Sequence, residues 1–192
     1  MNLWQLKRGI NKAKISLVEQ ALYEPISNSI CFFISYRRDD KQAAREISNY
    51  INKAGFSTYF DEDDDCLSSA IENYNSKAIT ACIQLGLNQS SHIICIVSNK
   101  TKESWWVPYE IGYATKCESS ILTLKLKGDY ILPDYLKISH IILGTKSLNE
   151  YLQSLIKRHL VESIYSDKIF QNYLTKESTQ HHPLDPYLDW DM

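Results

Sequence analysis

Five short apolar segments recur along the chain, and each has the length of a β-strand. The runs at 30–36, 92–98 and 121–126 are almost entirely apolar, which is typical of strands buried on both faces of a parallel sheet. The aromatic segment 56–60 and the short run at 138–143 are also predicted as strands.

Segments with helical spacing lie between and beyond these strands. At 43–54 apolar residues recur every three to four positions, and Gly55 ends that pattern. The other predicted helices are at about 70–87, from about 105–108 onwards, at 148–160, at 164–174 and in the amphipathic segment 1–24. The polar acidic stretch 61–69 is predicted as a loop, and the Pro- and Asp-rich tail 181–192 as irregular.

The alternation of strands and helices predicts an α/β fold, in which helices cover both faces of a parallel sheet. In such folds ligands bind at the carboxyl ends of the strands, close to the point where the strand order reverses. Functional residues are therefore expected in the loops after Tyr36, Phe60 and Ser98.

Composition narrows the class of protein. The chain has 192 residues and a formal net charge of −2, so charge gives no reason to expect nucleic acid or an anionic membrane as a partner. No apolar stretch reaches the roughly 18 residues of a membrane span, and the N-terminal segment lacks the hydrophobic core of a secretory signal. The five cysteines are odd in number and include no CxxC spacing, which favours buried, reduced thiols in a cytoplasmic protein. The lack of GxGxxG and P-loop motifs argues against a dehydrogenase or an NTPase.

Three segments at the predicted strand ends carry candidate chemistry. They are FISYRRDD at 33–40, GFSTYFDE at 55–62, and WVPYEI at 106–111, which follows the strand IICIVS and a loop. In this order and spacing the chain resembles the TIR domain family over about 29–143. The first segment resembles the family's strand ending in a Ser-Tyr pair, and the last resembles its Trp-x-x-x-Glu helix. The resemblance is greatest to the NAD-consuming branch, which includes antiphage TIR proteins of Thoeris systems.

The resemblance has implications for fold and activity. It implies a flavodoxin-like three-layer sandwich with a central parallel sheet, flanked by a helical extension at 1–28 and by helices and a tail at 147–192, with the TIR domain at 29–146. It implies cleavage of the nicotinamide–ribose bond of NAD in antiphage defence, with Glu110 as the catalytic carboxylate. NAD is then the substrate, and no cofactor or metal ion is expected. The product would be an ADP-ribose derivative that a separate effector protein senses, and self-association of the TIR domain is expected.

A single carboxylate suits this reaction. Nicotinamide leaves NAD as a neutral molecule, so the leaving group needs no general acid, whereas ordinary glycosidases use two carboxyl groups. Positive charge develops on the ribose, and a fixed carboxylate stabilises it. Trp106 lies four residues before Glu110 and would share its helical face, where an indole can stack on nicotinamide or adenine. The alternatives are a solvated glutamate at a helix start and a tryptophan that only packs.

Further substrate contacts follow from the resemblance, in which the two arginines would meet the pyrophosphate. These residues are Phe33, Ser35, Tyr36, Arg37, Arg38 and Asp61. Two alternatives to these substrate contacts remain open. The arginines would be solvated at the entrance of a helix, and Ser35 would be a buried polar residue without contact to the substrate. The acidic run 61–65 is interpreted as part of a mobile loop at the mouth of the pocket, because adjacent carboxylates on one loop rarely converge on a metal ion.

Three other functions are alternatives to NAD cleavage. A non-catalytic TIR adaptor that acts by homotypic contacts is the main alternative, and the Trp106 and Glu110 pair argues against it. A nucleoside deoxyribosyltransferase-like enzyme shares the sheet type and a glutamate, but nothing in 35–38 favours that activity. A receiver domain is disfavoured because the strand at 92–98 ends in Ser98-Asn99, without an acceptor aspartate.

Overall fold

A parallel five-stranded sheet forms the centre of the computed structural model, which describes residues 11–14, 30–160 and 182–190. The spatial order of the strands is β2-β1-β3-β4-β5. In chain order they are β1 Cys31–Ser35, β2 Ser57–Tyr59, β3 His92–Val97, β4 Ser120–Lys125 and β5 His140–Ile142. All five predicted strands are confirmed to within two residues at each end.

Six α-helices accompany the sheet within the described residues. They are α1 Lys41–Lys53, α2 Asp65–Glu72, α3 Ser76–Asn88, α4 Trp106–Lys116, α5 Asp134–Lys137 and α6 Thr145–Leu160. The predictions for α1, α4 and α6 are confirmed, whereas the one-turn helix α5 was not predicted. None of the described helices is long and apolar enough to cross a membrane.

The loop predicted at 61–69 is wrong in its second half. The chain makes a 3-10 turn at Asp61–Asp63 and then enters α2 at Asp65. The carboxylate of Asp64 accepts hydrogen bonds of 2.9 and 3.1 Å from two backbone N–H groups in the first turn of α2. An aspartate at this capping position stabilises a helix start, so the acidic run begins a helix rather than extending a loop.

The single helix predicted at 70–87 is also wrong, because the chain breaks it in two. Tyr74 adopts a positive φ of 51°, which stops α2. Asn75 then caps α3 by accepting a 3.0 Å hydrogen bond from the N–H of Ala78. Two shorter helices, α2 and α3, therefore replace one continuous helix.

Each face of the sheet packs against its own layer of helices. Successive side chains of a strand point to opposite faces. Phe32 and Ile34 accordingly share a core with α1, α6 and the tail, while Cys31 and Phe33 share a core with α2, α3, α4 and α5. The α/β class and the flavodoxin-like three-layer sandwich are thus confirmed, and the strand order reverses between β1 and β3.

Residues 182–190 are irregular, as predicted for the tail, and close one side of the sandwich. Leu184 and Leu188 are buried in the core that α1 and α6 form with the sheet. The carbonyl of Asp189 accepts a 2.8 Å hydrogen bond from the N–H of Thr145, at the start of α6. The tail is therefore part of the folded unit.

The described N-terminal residues pack beside the edge strand β2. Asn11 bridges to Thr58, and Lys12–Lys14 form a 3-10 turn. The rest of the helix predicted at 1–24 and all of that predicted at 164–174 lie outside the described residues. The domain limits at 28 and 146 stay predictions.

Candidate active site

Glu110 lies at the carboxyl edge of the sheet, beside the point where the strand order reverses. It is in the second turn of α4 and is only 7% exposed. Ser35, the last residue of β1, donates a hydrogen bond from its hydroxyl to Oε2 of Glu110 over 2.6 Å. The alternative of a solvated glutamate at a helix start is therefore wrong.

The position of Glu110 on α4 explains its burial. The buried residues of this helix have the i, i+3, i+4 and i+7 spacing of a face packed on a core: Val107, Glu110, Ile111 and Ala114. Pro108 lies in the first turn, as predicted, where a missing N–H costs little. A carboxylate thus occupies a position that packing alone would give to an apolar residue, and such departures are expected at functional sites.

Burial dominates the electrostatics of Glu110. It raises the pKa of the carboxyl to about 8, against the opposing effect of the Ser35 hydrogen bond and with a further rise from the charge of Asp61. Cys95 pairs with Ser35 across the β1–β3 ladder. Burial, and then the charge of Glu110, raise the pKa of this thiol too, so Cys95 stays a neutral thiol at physiological pH.

Asp61 supplies a second carboxylate at the same edge. The hydroxyl of Tyr36 donates a 2.8 Å hydrogen bond to Oδ1 of Asp61. Burial is the main cause that raises the pKa of Asp61, and the Tyr36 hydrogen bond opposes it. The charge of Glu62 raises this pKa further, and that of Arg38 lowers it. Two carboxyls with raised pKa values therefore lie at one edge of the sheet, and the charge of Asp61 contributes to the raised pKa of Glu110.

A stack of side chains holds the segment that carries Asp61. The ring of Tyr36 lies parallel to that of Phe60, with 5.3 Å between centroids. The guanidinium of Arg45 lies 4.0 Å from the Phe60 centroid, and Nη2 of Arg45 donates to Oδ1 of Asp63 over 3.0 Å. The start of the acidic run is therefore anchored to β1 and α1.

The acidic side chains of this run turn to separate partners. Glu62 pairs with Lys41, and Asp64 accepts from the Tyr59 hydroxyl. Within the described ranges, no three His, Cys, Asp or Glu side chains are grouped so as to hold a metal ion.

The two arginines after β1 differ in their surroundings. Arg37 donates to Asp39 and to Glu103 over 2.5 Å each, and these bonds raise its pKa further. It also donates to the carbonyl of Lys100 over 2.9 Å, so it links the end of β1 to the loop after β3. Arg38 is exposed, and its side chain makes no hydrogen bond or ion pair with any part of the chain that the structure describes. Arg38 is thus the arginine that is available to an anionic ligand.

The region that carries these residues matches one family. The model described as "Thoeris protein ThsB, TIR-like domain" matches residues 33–130, just over half of the chain. The chain belongs to the Thoeris ThsB TIR-like family. The match begins in β1 and ends after β4, so it contains both Ser35 and Glu110.

Two solved structures are similar to the TIR domain. One is the TIR domain of the Toll-related receptor TRR-2 from Hydra magnipapillata, with 14% identity, a TM-score of 0.47, and coverage of 69% of this chain and 96% of that one. The other is the CMP N-glycosidase BcmB of Clostridium botulinum, with 18% identity, a TM-score of 0.41, and coverage of 66% and 98%. No curated protein matches the chain in sequence.

The two aromatic site residues occupy different places in the TIR domain. Phe33 is 1% exposed and stacks on Tyr59 with 5.4 Å between centroids, so its ring lies in the core. Trp106 begins α4, is 42% exposed, and meets the ring of Tyr109 edge-on at 5.7 Å. Trp106 therefore packs on Tyr109 and still exposes part of its ring to solvent. Phe33 is instead buried, and it packs beneath the sheet edge where β1 ends.

Sequence reasoning missed other polar contacts at this edge of the TIR domain. Ser98, directly after β3, donates to Oδ2 of Asp40 over 2.6 Å. The hydroxyl of Tyr130 contacts the carbonyls of Val97 and of Leu126, the latter at 2.8 Å. The position of Ser98 at a strand end was a usable signal, whereas nothing local marks Tyr130.

Proposed function

We propose that this TIR domain cleaves the nicotinamide–ribose bond of NAD, with Glu110 as the catalytic carboxylate. The observation that carries the proposal is the buried carboxylate of Glu110, fixed by Ser35 at the edge where α/β folds bind ligands. Membership of the Thoeris ThsB TIR-like family supports it.

The raised pKa of Glu110 fits a cationic substrate. In the free protein a pKa of about 8 leaves the carboxyl mostly protonated at neutral pH. A nicotinamide–ribose cation beside it favours the charged form, so the proton of Glu110 leaves to solvent when NAD binds. The carboxylate then stabilises the positive charge that builds on the ribose as the glycosidic bond breaks.

The neighbouring side chains suit the remaining parts of NAD. The exposed guanidinium of Arg38, which has no ion-pair partner among the described residues, is suited to the pyrophosphate. The free face of Trp106 is suited to stacking on nicotinamide or adenine. Asp61, held by Tyr36, can accept hydrogen bonds from ribose hydroxyls.

The nucleophile decides the product. Water gives ADP-ribose, an adenine nitrogen or ribose hydroxyl of the same molecule gives a cyclic isomer, and a small amine such as an amino acid gives an adduct. The proposal includes a cytoplasmic location, self-association of the TIR domain, and an effector protein that senses the product in antiphage defence.

The direct test is incubation of the purified protein with NAD, followed by chromatography and mass spectrometry. We expect free nicotinamide and one ADP-ribose-derived product, whose mass distinguishes hydrolysis, cyclisation and adduct formation. If neither concentrated protein nor protein mixed with infected-cell lysate releases nicotinamide, the proposal is wrong and a non-catalytic adaptor is favoured.

A further inference from the structure

Two thiols meet on the helices α2 and α3. The Sγ atoms of Cys66 and Cys82 lie 3.1 Å apart, and both residues are free cysteines. The sequence expectation of buried thiols is wrong for Cys66 and for Cys117, which are exposed. The sequence does not reveal the pair, because it predicts a loop around Cys66 and a separate helix around Cys82.

Little movement separates this pair from a disulfide. An S–S bond is about 2.0 Å long, so the two sulfurs need to approach by only about 1 Å. Cys66 lies in the first turn of α2, a short helix on the surface. Because Cys66 is exposed, few neighbouring atoms oppose a small rotation of its side chain. Cys82 is fixed in the core on the buried face of α3.

The two thiols have unequal environments, which assigns their roles. Cys66 is open to solvent and to small oxidants. Burial is the main cause that raises the pKa of Cys82 to about 12, and the neighbouring Cys66 and Asp64 raise it further. A buried thiol with a raised pKa is a poor first nucleophile, so an oxidant reacts at Cys66 first.

We propose that Cys66 and Cys82 form a reversible disulfide when the protein meets a peroxide. The thiolate of Cys66 attacks one peroxide oxygen, the O–O bond breaks, and the departing hydroxide takes up a proton to leave as water, so that Cys66 becomes a sulfenic acid. The sulfur of Cys82 then attacks Sγ of Cys66, the S–O bond breaks, and the hydroxyl leaves as water with the proton of Cys82. Two thiols and one hydrogen peroxide thus give one disulfide and two water molecules.

The disulfide would fasten α2 to α3 across the break at Tyr74. Asp64, which caps α2, also accepts a hydrogen bond from the hydroxyl of Tyr59 at the end of β2. The disulfide would therefore connect the segment that follows β2 to the neighbouring helix α3. It forms whether or not the protein cleaves NAD, so it stands independently of the proposed function.

The test uses the full chain, reduced and then treated with hydrogen peroxide. Remaining thiols are alkylated and counted by intact mass, and a peptide map locates any cross-link. We expect the number of alkylated cysteines to fall by two from five, a cross-linked Cys66–Cys82 peptide, and recovery of both thiols with a dithiol reductant. We also expect oxidation to raise Tm by on the order of 5 °C, because the bond closes a loop in the unfolded chain.

Three variants make the test specific. Cys82→Ser should leave Cys66 as a sulfenic acid that dimedone traps, with no cross-link. Cys66→Ser should protect Cys82 from the peroxide. Cys117→Ser is the matched control, because Cys117 is also exposed but lacks a thiol neighbour among the described residues, and it should keep the cross-link.

Two results would overturn the proposal. One is full alkylation of Cys66 and Cys82 at a peroxide concentration that already oxidises Cys117. The other is further oxidation of Cys66 to a sulfinic acid at the same rate in the unmodified protein and in Cys82→Ser.

Discussion

The hydroxyl of Ser35 donates to Oε2 of Glu110 over 2.6 Å, and this bond joins the end of β1 to the second turn of α4. The two residues come from adjacent strand–loop–helix units on either side of the point where the strand order reverses. Because the bond stabilises the charged form, it partly offsets the effect of burial on the pKa of Glu110. Ser35 is in this sense a positioning residue for the carboxylate.

Replacing Ser35 by alanine tests that role. Without the hydrogen bond the pKa of Glu110 should rise above about 8, so the acid limb of the pH profile of kcat/KM should move to higher pH. At pH 7 we expect kcat/KM to fall roughly three- to tenfold. Ser90→Ala, at a buried serine that bonds to the carbonyl of Gly86, is the control for loss of a buried hydroxyl. An unshifted profile in Ser35→Ala would show that this bond does not tune Glu110.

The buried carboxyl should also make stability depend on pH. The pKa of Glu110 is about 8 in the folded protein against an ordinary 4.5, so the folded state holds more protons between these values. The free energy of unfolding therefore falls as pH rises from about 4.5 to about 8. Glu110→Gln removes this loss, and we expect it to be more stable than the unmodified protein at pH 9 by a few kcal/mol.

Urea unfolding at several pH values measures this difference. Glu46→Gln, at an exposed glutamate of α1, should follow the unmodified protein throughout. If the free energy of unfolding depends on pH in the same way in Glu110→Gln and in the unmodified protein, burial does not disfavour the charged form of Glu110.

Arg38 is expected to bind the pyrophosphate of NAD. Arg38→Gln should raise KM about tenfold and leave kcat within about twofold, since the contact is made equally in the ground and transition states. Lys53→Gln, at an exposed lysine of α1, controls for the lost positive charge. Equal KM values for the two variants would count against a role for Arg38.

Two glycines in helices allow a matched comparison of alanine substitutions at a tightly packed and at an open position. A Cβ at Gly86 of α3 would lie 2.5 Å from the ring of Tyr59, whereas one at Gly112 of α4 would meet nothing within 4 Å. Gly86→Ala should lower the free energy of unfolding by about 1–3 kcal/mol through overpacking. Gly112→Ala should raise it by about 0.5–1 kcal/mol, because alanine favours the helix. Chemical denaturation measures both, and an unchanged Gly86→Ala would contradict the tight contact between α3 and β2.

The sequence predicted much of this fold because its signals are local. The apolar runs of β1, β3 and β4 marked the centre of the sheet, and their alternation with helices marked its class. The break at Tyr74 was missed because a positive φ at a tyrosine has no Gly or Pro to signal it. The sequence does not reveal the start of α2, because Asp64 is one of five adjacent acidic residues and does not stand out as a cap.

In the site, too, local features were predictable from the sequence and tertiary contacts were not. Glu110 was identified from its motif, but its burial was not, although its spacing from Val107 and Ile111 places it on the core-facing side of α4. Its partner Ser35 is 75 positions away, and only the tertiary fold brings the two together. The same holds for Cys66 and Cys82, which meet only because two separate helices pack side by side.

The most direct test of the central claim is the rate of nicotinamide release from NAD by Glu110→Gln, measured beside the unmodified protein and Glu46→Gln. Glutamine keeps the shape of the side chain and an oxygen for the Ser35 hydroxyl, but it cannot carry the negative charge. We expect release by Glu110→Gln to fall at least about 100-fold, with the fold retained by circular dichroism and with Glu46→Gln fully active. Release by Glu110→Gln at the rate of the unmodified protein would contradict the assignment of Glu110 as the catalytic carboxylate.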